Sequence, residues 1–329
     1  MPPWLLDVGI MNLMDDWLVA PQLQPILILA LVLLIERRWH WPEKYHPLGF
    51  ARLIALRMAQ KVNHKNSAPM QLKIAGTLAP LVLLTPFIII MVLFIQLAEF
   101  PLFFDGILLL VAMQTRPVTH GVRKVSLALQ RHKKALARDT LSPLCLRDTS
   151  TLSEVGIVKT SIETLVLRFC YQTVAVMFWY LLLGGVGALS YRLVYEFAQI
   201  WNRKLSQYQH FGAPISALLR LLNWLPVQLF IIAFMLAENI RGALRALRGS
   251  SAMSSTHNSI LAACGGALGI QLGGPVIYQQ QKRRFAKLGT KTLPAIQDID
   301  RALKSVSIVL AILLILSFLV SAITFAMRN

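Results

Sequence analysis

The Lys and Arg residues of this 329-residue chain are distributed in a way that a chain wetted on every side has no reason to adopt. None lies in residues 1–36 and none in 74–115, whereas 28 of the 33 fall in three polar stretches, 36–73, 116–168 and 239–304. Strongly apolar sequence separates those stretches. Polytopic membrane proteins segregate charge in this way, because Lys and Arg accumulate in the loops left on the cytoplasmic side. The pattern therefore sets both a fold class, an all-α polytopic membrane protein, and an orientation.

Hydrophobic residues make up 56% of the chain, concentrated in runs rather than spread at a period of 2 or 3.6. Crossing the hydrocarbon layer takes roughly 20 apolar residues. Runs of that kind cover 17–35, 74–98, 169–191, 217–237 and 305–326. The first contains Pro21 and Pro25, which predicts a distorted first turn. A sixth run, 101–115, is short and carries Asp105, so it reads either as a crossing or as a re-entrant segment. The N-terminus carries Asp7, Asp15 and Asp16 and no basic residue. Placing it in the periplasm leaves 36–73, 116–168 and 239–304 as cytoplasmic loops of a single membrane domain, 1–329, in a bacterial inner membrane. The first run is expected to stay as a helix, since no basic n-region of a cleavable signal precedes it.

A net charge of +18 raises the question of nucleic acid. No nucleic-acid motif accompanies it, and bilayer spans divide the basic residues, so lipid headgroups are the expected partners. Cys145, Cys170 and Cys264 form neither a disulfide framework nor a CxxC pair. His40, His46 and His64 do not share a helix face, and no metal site is assigned.

Each basic loop has its own pattern. Residues 49–63 alternate Phe50, Leu53, Ile54 and Met58 with Arg52, Arg57 and Lys61 at helical spacing, which predicts a basic amphipathic helix on the membrane surface. Trp39 and Trp41 suit an interfacial belt. In the second loop Val122, Val125, Leu129 and Leu136 make one face, opposite Arg123, Lys124, Arg131, Lys133 and Lys134. Ser153 or Thr151 is placed to cap a helix through Ile157 to Leu165. Arg147 and Asp148, just before it, read as a ligand-binding pair or as a loop-stabilising one. The third loop holds HNSILAACGGALGIQLGGPVIY, with Gly265, Gly269 and Gly273 four apart. That spacing suits close helix packing, with a glycine-rich anion-binding turn as the alternative. No GxxxxGK[ST] phosphate loop is present.

These loop motifs resemble the CobD/CbiB family of cobalamin-biosynthesis membrane proteins, the adenosylcobinamide-phosphate synthases. Ala137–Arg138, Arg147–Asp148–Thr149 and Ile162–Glu163–Thr164 follow the family's order and spacing, as do Leu152 and Ser153. In the third loop Asn258, Leu268, Gly269, Leu272, Gly273, Gly274, Pro275 and Tyr278 match. His46–Pro47 matches near the N-terminal side, and Tyr208, Phe211–Gly212, Asn223 and Pro226 match a further block. The resemblance runs from about residue 31 to 305. It implies attachment of aminopropanol, or its phosphate, to adenosylcobyric acid by ATP-dependent amide formation. ATP and Mg2+ would be the cofactors and a corrinoid the substrate. Candidate ligand-binding residues carried over are Arg138, Arg147, Asp148, Thr149, Glu163, Asn258, Gly273, Gly274 and Tyr278, with His46 and Asn223 as weaker candidates. No catalytic residue is assigned.

Most of the departures remove acidic residues. Where the family carries Glu-Asn and then Asp-Gly, this chain has Leu167–Arg168 and Tyr171–Gln172. Tyr195–Glu196–Phe197–Ala198–Gln199–Ile200 replaces Asn-Thr-Leu-Asp-Ser-Met, Leu219–Arg220 replaces an Asp-Asp pair, and Pro226–Val227–Gln228 replaces Pro-Ala-Arg. Metal-held phosphate chemistry normally relies on such carboxylates. Two readings therefore stand: a synthase of late cobamide assembly, and a catalytically inactive, AmpE-like relative that binds a ligand or other membrane proteins in envelope sensing. A transporter is disfavoured, because the apolar runs hold almost no ionisable residue.

Overall fold

The computed structural model describes residues 23–38, 45–64, 67–249, 255–278 and 281–327. Asp7, Asp15, Asp16, residues 17–22 of the first apolar run, Trp39, His40, Trp41 and the side chain of Tyr278 lie outside what is described. The apolar runs become helices, which satisfy every backbone group internally, as lipid demands. In chain order they are α1 (Gln24–Arg38), α2 (Pro47–Val62), α3 (Pro69–Leu97), α4 (Pro101–Ala112), α5 (Arg116–Gln130), α6 (Lys134–Leu141) and α7 (Glu154–Phe169). A π-helical turn, Cys170–Val174, leads into α8 (Ala175–Ile200). Then follow α9 (Ala213–Ala237), α10 (Ile240–Leu247), α11 (Thr256–Leu268) and α12 (Ile296–Ala326). Pro47, Pro69 and Pro101 open α2, α3 and α4, where a missing N–H costs nothing. Between α11 and α12 sit four three-residue strands, β1 (Gln271–Gly273), β2 (Val276–Tyr278), β3 (Gln281–Arg283) and β4 (Lys287–Gly289). They pair antiparallel as β1 with β4 and β2 with β3.

Two hydrophobic cores divide the molecule. One joins α1, α2, α3, α4 and α8 around Leu29, Leu109, Tyr180, Trp201 and Phe211. The other joins α5, α6, α7, α11, the second half of α9 and the first half of α12 around Val122, Ile162, Phe230, Phe234 and Val306. Outside the first core the helices expose large apolar side chains in quantity, among them Ile89, Leu93, Leu97, Phe103, Leu182, Leu319 and Ile323. A water-facing surface rarely tolerates such patches; a lipid-facing one requires them. Stretches long and apolar enough to cross a bilayer are Pro69–Leu97, Pro101–Gln130, Glu154–Ile200, Ala213–Ala237 and Ile296–Ala326. The chain is a multi-pass helical membrane protein.

The run 169–191, expected as one spanning helix, is folded in two. Gly184 has φ 67° and ψ −165°, a backbone conformation open to glycine, and it breaks α8 there. Twenty residues of straight helix would separate Tyr171 from Tyr191 by about 30 Å. Instead the Tyr191 hydroxyl donates to the Tyr171 carbonyl at 2.9 Å, and Gln172 Nε2 donates to the Tyr195 hydroxyl at 3.2 Å. Residues 185–200 therefore run back along 170–183. Asp105 on α4 caps the new start, its Oδ1 accepting from Gly185 N at 2.6 Å. The acidic residue of the short apolar run thus serves the tip of this hairpin.

The returning leg is fixed by polar contacts. Arg192, fully buried, donates to Gln114 Oε1 at 2.5 Å and to Glu196 Oε1 at 2.7 Å, and Arg52 of α2 holds Glu196 from the other side at 2.7 Å. Trp201 Nε1 donates to Ala55 O at 3.1 Å, and Asn63 Nδ2 donates to Gln207 O at 2.9 Å. Glu36 at the foot of α1 accepts from the backbone N–H groups of Thr115 and Arg116, which start α5.

In the second loop Val122, Val125 and Leu129 are buried as their spacing implies, whereas Leu136 is exposed. The reason is local: α5 stops at Gln130, His132 sits at φ 56°, and Leu136 belongs to a separate helix. In α2 the buried face is Leu48, Ala55 and Ala59, while Phe50 and Leu53 point outward.

Candidate functional site

Glu163 is where the two distant family-like loop blocks meet. It lies on α7, a helix started by Ser153, whose hydroxyl accepts from Gly156 N at 3.1 Å. Glu163 is 1% exposed. Its Oε2 pairs with Arg147 of the central loop, and its Oε1 accepts from Gly273 N at 2.5 Å, 110 residues along the chain. Gly273 (φ 69°) and Gly274 (φ 95°) form the corner between β1 and β2. A Cβ on Gly273 would come within 2.3 Å of Ala286 O, so glycine is required there.

Two adjoining cavities open beside this junction, of about 270 and 420 Å³. They share Arg147, Lys204 and His257 in their walls. The first is bounded by the two feet of the hairpin (Leu167, Arg168 and Tyr171 on one, Tyr195, Ala198 and Gln199 on the other), by Ser216–Asn223 positions of α9, and by Glu163. The second is bounded by Ser255, Asn258, Gly273, Gly274, Phe285 and Leu288. Folding α8 back is what brings Tyr195 to Asn202 against Arg168. The first cavity carries Arg147, Arg168, Lys204 and Arg220 against the single carboxylate Glu163. Burial drives His257 down to about 3, and the nearby cations of Lys204 and Arg147 push it the same way, so it is neutral at physiological pH.

The sequence candidates divide between this cleft and its supports. Arg147, Glu163, Asn258, Gly273, Gly274 and Asn223 line it. Arg138 does not: its Nε and Nη2 donate to Leu152 O, anchoring the loop before α7. Asp148 accepts from Ser150 N at 3.0 Å and Ser150 Oγ at 2.7 Å, an Asx turn that lowers its pKa and keeps it out of the cleft. Thr149 is buried, its carbonyl accepting from Leu152 N. His46 caps α2, its Nδ1 accepting from Leu48 N at 3.2 Å, remote from Arg147 and within the other core. The glycines also divide. Gly266 lets α10 and α11 touch, since a Cβ there would meet Ala246 Cβ at 2.5 Å, while Gly269 ends α11 at φ 75°. Gly273 and Gly274 make a turn, but their N–H groups are spent on Glu163 and Ala286 O rather than offered to an anion.

Arg168, Lys204, Arg220 and His257 were not among the candidates. The signal for the two arginines was present: both occupy positions where the chain departs from the family pattern. Leu167, Tyr171, Tyr195, Ala198, Gln199 and Leu219, other members of the departing segments, line the same cavity. The residues present do not fit a magnesium ion. Magnesium takes near-octahedral oxygen ligation with carboxylate anchors, and the one carboxylate here is already committed to Arg147 and Gly273. Among the described residues no group of three His, Cys, Asp or Glu could hold a metal.

Fold and site together define a helical membrane protein with a cationic cleft at the foot of a helical hairpin. The CobD/CbiB protein family matches residues 27–306. A relative named cobalamin biosynthesis protein CobD from Chromobacterium violaceum is 30% identical over 286 residues, covering 85% of this chain and 92% of that protein. Proteins of the same name from Stutzerimonas stutzeri and Rhizobium meliloti are 29% and 27% identical, covering 82% and 84% of this chain and 89% and 91% of those proteins. No solved structure matches. The chain belongs to the CobD/CbiB family.

Proposed function

We propose that this chain is a membrane protein of cobalamin biosynthesis that works on a corrinoid at the cytoplasmic face of a bacterial inner membrane. The step is the one the family resemblance implies, amide attachment of an aminopropanol or its phosphate to adenosylcobyric acid. The observation that carries this reading is a family match extending over residues 27–306, together with the meeting of its two loop blocks at Glu163 beside an open cleft. Arg147 presents a planar fork suited to a carboxylate or phosphate, and Lys204 adds a point charge. These residues bind and orient; among the described residues no cluster of carboxylates supplies a magnesium site.

In the bilayer, α1, α3, α4 and the second half of α12 cross, and the hairpin enters from the basic side and returns to it. Arg52–Glu196, Ala55–Trp201 and Asn63–Gln207 contacts support this arrangement, since they tie the residues after the hairpin to the first basic loop. Helix α9 then begins and ends on that side, with Leu218, Leu221, Leu225, Ile232 and Leu236 exposed at helical spacing toward lipid. The N-terminus and the end of α12 face the periplasm.

The test is nutritional. A host that depends on its own cobamide assembly, deleted for this gene, should grow when given adenosylcobinamide and fail on adenosylcobyric acid. Normal growth of the deletion strain on adenosylcobyric acid would overturn the reading.

A further inference from the structure

Packing accounts for only one face of α10. Gly242, Ala243 and Ala246 form its inner side: a Cβ on Gly242 would meet Gly266 O of α11 at 2.4 Å, and Ala243 is fully buried. On the outer side Ile240 and Leu244 are exposed, one helical turn apart. Arg241, Arg245 and Arg248, spaced four and then three residues apart, run along the edge beyond them and are exposed too. Among the described residues no ion pair engages any of these three arginines. Nor does the surrounding sequence hold a counter-charge for them. Helices α9 and α11 and strand β4, which pack against α10, contain no Asp or Glu, and none occurs anywhere between Glu238 and Asp298. Glu238 itself is committed to Arg301, and Asp298 caps α12 by accepting from Ala295 N at 2.7 Å. Like charges at this helical spacing repel one another, so the outer edge of α10 is a built cationic row whose partner lies outside this part of the chain.

The depth of α10 is set by its neighbour. Glu238, at the end of α9, accepts from Ser305 Oγ at 2.6 Å and pairs with Arg301 at 2.6 Å. Ser305 opens the apolar run 305–326, and Ile296–Ala326 is long and apolar enough to cross a bilayer. Helix α10 therefore starts at the level where α12 passes from polar to apolar sequence. Across the break at Glu238, Ile232 and Leu236 of α9 are exposed as well, so apolar surface continues on both sides of it. We propose that α10 is seated in the headgroup layer of the membrane, with Ile240 and Leu244 at the acyl boundary and Arg241, Arg245 and Arg248 on the phosphates of anionic phospholipids. A basic edge beside an apolar one is the pattern of helices that lie in an interface. Guanidinium forks take phosphate oxygens in pairs, and each basic side chain at a negatively charged leaflet adds attraction. An acidic protein would match the charge but not the depth. None of these five residues lines the cleft, so the inference stands apart from what the cleft binds.

One labelled position reads depth and selectivity together. With Cys145→Ser removing the native thiol that is not buried, Leu244→Cys is labelled with an environment-sensitive fluorophore and the full chain is placed in nanodiscs of phosphatidylcholine and phosphatidylglycerol. A nitroxide high on the acyl chain is carried either by the phosphatidylglycerol or, at equal mole fraction, by the phosphatidylcholine. The label should be shielded from aqueous iodide and quenched by nitroxide lipid, more strongly when phosphatidylglycerol carries it. With Arg241→Gln, Arg245→Gln and Arg248→Gln combined, that preference should vanish. Taken singly, each should raise the phosphatidylglycerol fraction needed for half-maximal quenching by up to about fivefold. The corresponding triple replacement by Lys keeps the charge, and it should keep the preference and show that the fold is intact. A label that iodide quenches and neither lipid does would place this face of α10 in water. Equal quenching by the two lipids, or a preference that survives the triple Gln variant, would mean that the arginines select no headgroup. Each of these results overturns the proposal.

Discussion

Glu163 holds two partners whose loss has different consequences. Removing Arg147 strands a carboxylate that is 1% exposed. Breaking a buried pair from one side typically costs about 3–5 kcal/mol. Arg147→Ala should therefore lower the melting temperature of the detergent-solubilised protein and its abundance in the membrane. Asp148→Ala, which removes an exposed turn bond to Ser150, should leave both nearly unchanged. Adjacent in sequence, Arg147 and Asp148 looked like a unit; the turn at Ser150 sends one into the cleft and the other to solvent. Replacing the whole ion pair, as Arg147→Met with Glu163→Leu, should recover part of the stability but not function, since the buried charge and the fork are both gone while the Gly273 N–H loses its acceptor. A second residue-scale prediction concerns pH. Burial, with the Arg192 and Arg52 cations, lowers His46 from 6.5 to about 4. The unfolded chain then binds the proton more readily, so this contribution to stability is whole above pH 6.5 and is lost as pH falls toward 4. The melting temperature should fall across that window. His46→Asn, which preserves an N-cap acceptor, should flatten part of the slope, while His257 keeps the remainder.

At the scale of elements, the hairpin of α8 rests on a glycine and a cap. An L side chain at Gly184 would adopt a conformation that carries about 1–3 kcal/mol of strain, with its Cβ 3.0 Å from Asp105 Oδ1. Asp105→Ala would leave the buried helix start at Gly185 uncapped, a loss of about 1–2 kcal/mol. Thermal unfolding of Gly184→Ala and Asp105→Ala proteins should show both destabilised, and the double variant should lose less than the sum because the two act at one junction. Unchanged melting in both would mean the tip is not held as described. The periodicity of 169–191 is the same whether the helix is straight or folded, and so the sequence legitimately read as one span. What decides the fold is a contact between residues 80 apart, Asp105 with Gly185, which no local pattern records. Helices α5 and α7, by contrast, were legible, because a one-sided apolar stripe and a Ser cap each act within a few residues. The cleft was half legible for the same reason. Arg147, Glu163 and Gly273 lie within recognisable motifs, whereas Lys204 and His257 reach the cavity only through the hairpin's return and the docking of α11.

At the scale of the whole molecule, the proposed hairpin topology changes the side on which the segment between the runs 169–191 and 217–237 lies. Counting 169–191 and 217–237 as crossings would place the residues between them in the periplasm. Asn63 and Gln207 are hydrogen-bonded at 2.9 Å, and Ala55 and Trp201 at 3.1 Å, which no pair of segments on opposite faces of a bilayer can be. On the proposed topology residues 201–212 share a side with the first basic loop, and their Arg203 and Lys204 then obey the same charge rule as the three main clusters. Cysteine labelling decides it. With Cys145→Ser removing the native thiol that is not buried, single cysteines at Lys61, Gln209 and Glu99, all exposed, report three positions. A membrane-impermeant maleimide should label Lys61→Cys and Gln209→Cys in inverted vesicles but not in intact spheroplasts, and Glu99→Cys, between α3 and α4, in the opposite sense. Labelling of Gln209→Cys from outside, together with Glu99→Cys, would mean that the hairpin opens into two true crossings. The cleft would then lose Lys204 and the second foot of the hairpin, and its basic side chains would be divided between two faces of the membrane.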